Sequence, residues 1–368
     1  MTKPTAINYW DYLRLDQLLS LQGGLEGDET VLMPDELTFI IVHQAYELWF
    51  KLILRELRLA RDHLALPELP EVGVPHVVHH LRRVNQILQL LVQQFAVVET
   101  LTPQDFLAFR DKLVPASGFQ SFQMRELEIV LGMPESRRQN YGKVEPLAHI
   151  RDLAAHSPTG AMAWGKVAAA QQELSLREAL QQWLHRTPIQ GSLVGAPDDD
   201  AQVTAFVDAY LAEIATVHEA QCARLVAAHG TDPEQVRARF AQSNDAAATF
   251  LRATDVDAAD QAAVRRRRAG LVFIESYREL PLLAWPRLLV DTVVELEEQL
   301  VLWRHRHARM VERVIGRRVG TGGSSGVDYL DKTTVIRIFD ELWTVRTMLL
   351  PKDRRPTLLR AERYDFAQ

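Results

Sequence analysis

Two pairs of residues in this chain combine side chains that suit the binding of a flat organic molecule and of an anion. His43 follows Phe39 by four positions on an apolar helical stretch, so the imidazole and the phenyl ring would project from one helix face. An aromatic ring beside an imidazole suits a planar ligand. Phe106 and Arg110 have the same spacing, and a guanidinium can hold a carboxylate through two parallel hydrogen bonds.

Both pairs also have a purely structural explanation. A single histidine on an apolar helix face is more often a core residue with its own hydrogen bonds than a functional one. Arg110 could form a surface ion pair with Asp105, Asp111 or a nearby glutamate. However, the neighbours of Arg110 include Phe109, and an arginine among apolar residues is poorly suited to a solvated surface. The pattern alone leaves both explanations open.

A second group of histidines lies in the C-terminal part of the chain. His305 and His307 are two positions apart in the segment LWRHRHARMVERVIG, so they point about 200° apart on a helix. A metal site that uses both is therefore not expected. A haem iron needs only one axial histidine, whereas the segment alone fits two surface histidines on an arginine-rich helix equally well.

The segment 319–326, VGTGGSSG, contains four glycines and three hydroxyl residues. No lysine follows the glycines, and the segment follows a predicted helix rather than a strand, so neither a P-loop nor a dinucleotide-binding motif is indicated. A connection between helices needs only one or two glycines. The composition is typical of a mobile loop that closes over an active site, and we expect such a lid here.

Helical periodicity dominates the sequence. Apolar residues recur at steps of three and four over long stretches, which indicates helices with a buried face. Thr102 and Pro103 have the residue types of an N-cap and of the first helical position. No segment alternates apolar and polar residues between hairpin turns, so the predicted fold class is all-α. The predicted helices cover 35–66, about 76–100, a stretch from 103 onward, 161–186, 201–229, 285–318 and about 331–348.

Composition narrows the functional classes. The net charge of −6 argues against a general nucleic-acid binder, and we interpret the run Arg265–Arg268 as a solvated helix face. The single cysteine, Cys222, permits no internal disulfide and no cysteine-based metal site. The N-terminus lacks a secretory signal, and no run of about 18 apolar residues exists, so we expect no membrane partner and a cytoplasmic location.

Four ordered segments closely resemble the tryptophan 2,3-dioxygenase family. The resemblance covers about 9–132 and 285–347, whereas 133–284 is turn-rich and is longer than in compact bacterial members of the family. We interpret 1–368 as a single all-α domain with a divergent middle segment at about 133–284. The resembling segments are YWDYLRLDQLLSLQ, DELTFIIVHQAYELWFKLILREL, TPQDFLAFRDKLVPASGFQSFQMRELEIVLG and LWRHRHARMVERVIGRRVGTGGSSGVDYL.

The resemblance implies an activity and a cofactor. The family is all-α, homotetrameric and dependent on haem b, and it opens the indole ring of L-tryptophan with O2 to give N-formylkynurenine. By this resemblance, His307 is the axial ligand of the haem iron. Ser117 and Gly118 lie over the distal face of the haem, and Ser117 also contacts the substrate.

The resemblance also assigns substrate contacts. His43 is the catalytic distal histidine that accepts a hydrogen bond from the indole N–H, and Phe39 packs against the ring. Arg110 binds the substrate carboxylate, with Phe106 beside it, and Thr321 contacts the substrate's ammonium and carboxylate groups. The N-terminal tyrosines complete the pocket of a neighbouring subunit; they are Tyr9 and Tyr12.

Three other functions remain compatible with these residues. One is a related haem oxygenase that acts on a modified tryptophan or indole in secondary metabolism, with insertion of one oxygen atom. Another is a haem-binding sensor or carrier, which would need His307 but not Arg110. The third is a helical scaffold without a cofactor. The number of oxygen atoms in the product separates the first from the dioxygenase.

Overall fold

Helices form nearly all the regular structure of this protein. The structure is a computed structural model, and across the described ranges its β-type pairing is limited to one isolated bridge between Ile189 and Ser192. The all-α prediction is therefore confirmed. The described residues are 8–70, 72–114, 116, 118–139, 145–229, 232–320 and 326–365.

The α-helices are numbered here in chain order. Short 3-10 turns at Asp111–Leu113 and Gly118–Gln120 separate α5 from α6. The helices are α1 (Tyr9–Leu13), α2 (Leu15–Leu18), α3 (Pro34–Leu64), α4 (Gly73–Val98), α5 (Pro103–Arg110), α6 (Phe122–Leu131), α7 (Pro146–Ala154), α8 (Pro158–Ala170), α9 (Leu176–His185), α10 (Asp199–His229), α11 (Pro233–Arg252), α12 (Gln261–Ser276), α13 (Ala284–Ile315), α14 (Val327–Thr333) and α15 (Asp340–Arg346).

Three long helices form the frame of the molecule, with α4 packed between α3 and α13. Their side chains in the common core include Leu57, Leu81 and Leu289, all fully buried. Burial of each such side chain contributes about 2 kcal/mol to folding. Buried apolar residues of 133–284 belong to the same contiguous cluster as those of α3, α4 and α13.

Polar contacts fix the position of α4 against both neighbours. The Tyr46 hydroxyl of α3 donates to the Leu91 carbonyl at 2.8 Å, and the Gln94 amide donates to the Val42 carbonyl at 3.1 Å. On the other side, the Asn85 amide of α4 donates to a backbone carbonyl of α13 at 3.1 Å. These bonds lie between helices, so they set the axial position of each helix as well as its distance.

Helix α3 is long and apolar enough to cross a membrane by the criteria of length and mean hydropathy. Within the described part of the chain, no other helix meets these criteria. Core helices of many proteins meet them too, and α3 packs against α4, α6 and α9.

Helix boundaries at the N-terminal half follow the sequence prediction. The Thr102 hydroxyl accepts a hydrogen bond from the Asp105 amide at 3.2 Å, and Pro103 is the first residue of α5. In the C-terminal half, α13 ends at Ile315, three residues before the predicted end at 318. The next residue, Gly316, has a φ of 61°, a conformation that favours glycine and interrupts the helix.

Two predicted helices are each divided in two. The stretch 161–186 contains α8 and α9, because Ser175 and Glu178 form a capping box that begins a new helix. The predicted stretch 331–348 contains α15 and only residues 331–333 of α14, which begins earlier, at Val327. Its interruption coincides with Glu297 of α13, whose buried carboxylate accepts hydrogen bonds from the backbone amides of Ile338 and Phe339.

The interpretation of Arg265–Arg268 as a solvated face is wrong. Arg266 and Arg268 are buried, since four consecutive residues span more than three quarters of a helix circumference and some must face the core. Arg266 pairs with Asp199 at 3.0 Å. Arg268 pairs with Asp255 at 2.6 Å, and its guanidinium lies over the Phe250 ring. The arginines of α12 therefore form ion pairs with other segments of the chain instead of forming a solvated face.

Replacement of Glu297 by alanine should destabilise the fold. The change leaves two buried backbone amides and the Trp343 indole N–H without their acceptor. We expect the free energy of unfolding to fall by about 2–5 kcal/mol, measured by urea denaturation. Glu298→Ala is the matched control because Glu298 is exposed on the same helix. Equal stability of the two variants would contradict the role of Glu297.

Candidate functional site

One large cavity brings together most of the residues that the sequence indicated. Its volume is about 710 Å³, within the usual range of ligand pockets. The walls come from α3, α4, α5, α6, α13 and α14, and they are mainly apolar and aromatic. The sequence-predicted residues that line it are Phe39, His43, Phe106, Arg110, Gly118 and His307.

The geometry of His43 fixes which of its nitrogens carries a proton. Its Nδ1 lies 2.7 Å from the Phe39 carbonyl oxygen, which can only accept a hydrogen bond, so Nδ1 is the donor. Burial among protein atoms lowers the pKa of His43, although the Phe39 carbonyl and the Glu47 carboxylate raise it. The imidazole is therefore neutral near pH 7, with Nε2 available as an acceptor.

The ring of His43 forms part of an aromatic wall. Its centroid lies 3.9 Å from that of Phe39. Phe39 in turn lies 5.8 Å from Phe106, which connects the two residue pairs of the sequence analysis. The core-histidine explanation does not apply, because His43 faces the cavity.

His307 reaches the same cavity from α13. Its ring is stacked on Phe95 of α4, with centroids 5.7 Å apart and planes 11° apart, and it lies 5.2 Å from Trp303. Burial, with a smaller effect of His43, lowers the pKa of His307 to about 4. The imidazole is thus neutral and can offer a lone pair to a metal. His305 is exposed on the other side of the helix, as its spacing predicted.

Arg110 ends α5 at the edge of the cavity. Its guanidinium donates to the backbone carbonyl of Val319, which lies beyond the end of α13. The surface ion pair with Asp105 or Asp111 is not found among the described residues. A guanidinium has five N–H donors, so the bond to Val319 leaves others for an anion.

Four predicted site residues are not among those that line the cavity in the described part of the chain. Ser117 and Thr321 are outside the described residues, as is most of the predicted lid. Tyr9 and Tyr12 are on α1, 70% and 76% exposed, and do not line the cavity of their own chain.

Several wall residues were missed by the sequence analysis. Trp303 precedes His307 by four positions, so the helical spacing puts both on one face, although Trp303 was not predicted as a site residue. Its indole N–H is buried and has no hydrogen-bond partner among the described residues. Arg125 and Arg304 also line the cavity, and both are buried. No local pattern marks them, because the distant elements that enclose them determine their burial.

Comparison with known proteins identifies the family. The family model for tryptophan 2,3-dioxygenase matches residues 2–349. The chain belongs to the tryptophan 2,3-dioxygenase family. The match includes 133–284, which the resemblance of short segments did not cover.

Curated members of the tryptophan 2,3-dioxygenase family align over nearly the whole chain. Tryptophan 2,3-dioxygenase of Sorangium cellulosum is 44% identical over 98% of this chain and 87% of its own length. Tryptophan 2,3-dioxygenase 2 of Ralstonia nicotianae is 44% identical over 98% of both chains. The enzyme of Dictyostelium discoideum is 33% identical over 98% of this chain and 89% of its own.

For a member of the tryptophan 2,3-dioxygenase family, the chemistry of the cavity fits a flat macrocycle that carries its own metal. Within the described ranges, no group of three histidine, cysteine or acidic side chains could hold a metal ion. A single neutral imidazole, His307, can complete the coordination of a metal already held by a macrocycle. Aromatic walls and the unpaired Trp303 N–H suit a large aromatic group with polar edges.

The tautomer of His43 can be tested directly. In histidine-labelled protein at pH 7, we expect the nitrogen NMR signals of His43 to show a protonated Nδ1 and an unprotonated Nε2, because Nδ1 donates to a carbonyl. A His43→Gln variant assigns the signals. A protonated Nε2 in the ligand-free protein would contradict the geometry described above.

Proposed function

We propose that this protein is a haem-dependent dioxygenase that inserts both atoms of O2 into the indole C2–C3 bond of L-tryptophan and gives N-formylkynurenine. The observation that carries the proposal is the arrangement of His43 and His307 in one cavity with Arg110 at its edge. Near full-length similarity to curated tryptophan 2,3-dioxygenases supports the same reaction.

His307 is the proposed axial ligand of haem b. Its low pKa favours the neutral form that binds a metal, and Phe95 restricts rotation of the ring. Haem supplies the iron at which O2 is activated, a step that amino-acid side chains do not perform. The aromatic walls exclude water around the cofactor and the indole, and Gly118 lines the cavity as well. Ser117 remains a proposed contact of the haem and the substrate, since it lies outside the described residues.

His43 and Phe39 position the indole. Phe39 provides a flat apolar surface, and the unprotonated Nε2 of His43 accepts the indole N–H. An indole N–H buried without a partner would cost about 1–3 kcal/mol, so this acceptor contributes to selectivity as well as orientation.

Arg110 is the proposed carboxylate ligand. Its guanidinium binds the charged end of the amino acid while Phe106 contacts the apolar part near it. Thr321 contacts the ammonium and carboxylate groups from the segment that follows Val319. Because Arg110 also donates to the Val319 carbonyl, the anion site and the start of that segment are physically connected.

Exposed apolar residues support the proposed homotetramer. On α1, Tyr9, Trp10 and Tyr12 are each more than 60% exposed. Ile41 on α3 and Leu90 on α4 are also exposed. A neighbouring subunit that covers these surfaces would reduce the free energy of the assembly. We propose that the N-terminal tyrosines complete the pocket of a neighbour, and that the protein acts in the cytoplasm without nucleic acid or membrane.

The proposed reaction is tested by product mass. The reduced haem protein is mixed with L-tryptophan and air, and the product is weighed by mass spectrometry. Gain of two oxygen atoms, both labelled when ¹⁸O₂ is used, is the expected result. Gain of one oxygen atom would favour the related oxygenase instead, and a haem spectrum without turnover of any indole would favour a carrier.

His307→Ala should abolish binding of the haem, because it removes the proposed axial ligand. The measurement is the haem content of the purified protein after reconstitution, read from its absorption spectrum. His305→Ala is the matched control, since His305 lies two positions away and is exposed. The axial assignment would be refuted if His307→Ala kept its full haem content and its absorption spectrum were the same as that of the wild-type protein.

Arg110→Ala should weaken binding of L-tryptophan by about 10- to 100-fold, as expected for the loss of a charge-assisted bond worth about 1.5–3 kcal/mol. Preference for L-tryptophan over tryptamine, which lacks the carboxylate, should fall by a similar factor. Steady-state KM and kcat for both compounds provide the measurement. Arg313→Ala on α13 is the control, because the Arg313 side chain is 69% exposed. An unchanged preference would exclude the carboxylate role.

A further inference from the structure

A set of half-buried hydrogen bonds connects the cavity wall before α6 to the helix that carries His43. Glu47 lies on α3 four residues after His43 and also lines the cavity. Its Oε1 accepts from the Ser121 hydroxyl at 2.7 Å, and its Oε2 accepts from the Gln123 amide at 2.7 Å. The same Gln123 nitrogen donates to the Glu47 carbonyl at 2.8 Å.

These bonds form at the point where the wall becomes helical. Ser121 is the N-cap of α6, because its oxygen accepts from the Met124 amide at 3.3 Å. The hydroxyl hydrogen is consequently directed to Glu47. The 3-10 turn Gly118–Gln120 immediately precedes this cap, so Glu47 holds the end of the turn that forms the wall.

The residue type at position 47 follows from the number of donors. Two separate side chains donate to two separate oxygens, and a carboxylate provides acceptors on both. A glutamine would offer one oxygen, so it could accept from only one of the two side chains. The arrangement therefore selects glutamate, although Ser121 and Gln123 are both neutral.

We propose that Glu47 is a positioning residue, which fixes the backbone of Gly118–Gln123 relative to His43 and thereby sets the geometry of the reacting cavity. This inference rests on the proposed function. Glu47 and His43 are one turn apart on α3, so the same helix positions both the His43 ring and the segment Gly118–Gln123. A displacement of about 1 Å in such a wall can slow a reaction by about 100-fold.

The first test does not depend on activity. Hydrogen–deuterium exchange of the backbone amides in 118–124 is compared between the wild-type protein and Glu47→Ala. We expect exchange to become at least tenfold faster in this segment, with α10 unchanged. The control is Glu295→Ala, because Glu295 also accepts from a glutamine of a facing helix but does not line the cavity. Exchange within twofold of wild type in Glu47→Ala would overturn the proposal.

The second test separates positioning from general stability. With haem content unchanged, Glu47→Ala should lower kcat for L-tryptophan by about 10- to 100-fold while KM changes less than threefold, because Arg110 is untouched. The C–O stretching frequency of the ferrous CO complex should shift, and Glu47→Gln should restore part of kcat. The role would be refuted if kcat of Glu47→Ala stayed within twofold of the wild-type value and the C–O frequency did not change beyond measurement error.

Two further outcomes are informative. If Glu47→Ala does not fold, Gln123→Ala removes one of the two donors and should give a smaller change of the same kind. If the wild-type protein does not oxidise tryptophan, the proposed reaction is wrong. In that case the exchange experiment still decides whether Glu47 holds the wall.

Discussion

The position of α4 between α3 and α13 is the constraint on which the cavity depends. His43 and His307 belong to helices far apart in the sequence, and among the described helices α4 makes the most extensive packing with both. Hydrogen bonds from α4 to the backbone of α3 and of α13 fix translation along the helix axes as well as separation. Without these bonds, apolar packing would tolerate small axial shifts, and the two histidines would lose their common cavity.

The electrostatics of the site follow from the same packing. Protein atoms around His43 and His307 disfavour the charged imidazolium forms, so both pKa values are lowered. The two rings can then act as an acceptor and as a metal ligand at neutral pH. The cationic group of the proposed substrate site, Arg110, lies instead at the edge of the cavity. This position lets Arg110 recognise a charged ligand group near solvent, away from the two neutral imidazoles.

Local patterns predicted the parts of the site that lie on one helix face. The spacing of Phe39 and His43 predicted that their rings project from one helix face, as they do in the structure, and the periodicity predicted the long helices. Patterns could not predict the break between α14 and α15, because the carboxylate of Glu297 that marks it comes from another helix. Likewise, Arg268 is buried only because acids from separate segments surround it. Such features depend on tertiary contacts, which no short window of sequence contains.

Helix α4 also affects the orientation of the His307 ring, because Phe95 of α4 stacks on it in a nearly parallel arrangement. The orientation of the imidazole on α13 is restricted by a side chain on a different helix, so a change at either position alters the packing of the other. A natural change of size at position 95 would rotate the imidazole without replacing it. The reduction potential of a haem depends on its axial ligand and the surroundings of that ligand, so for the haem that we propose His307 binds, such a change would alter the electron affinity of the iron.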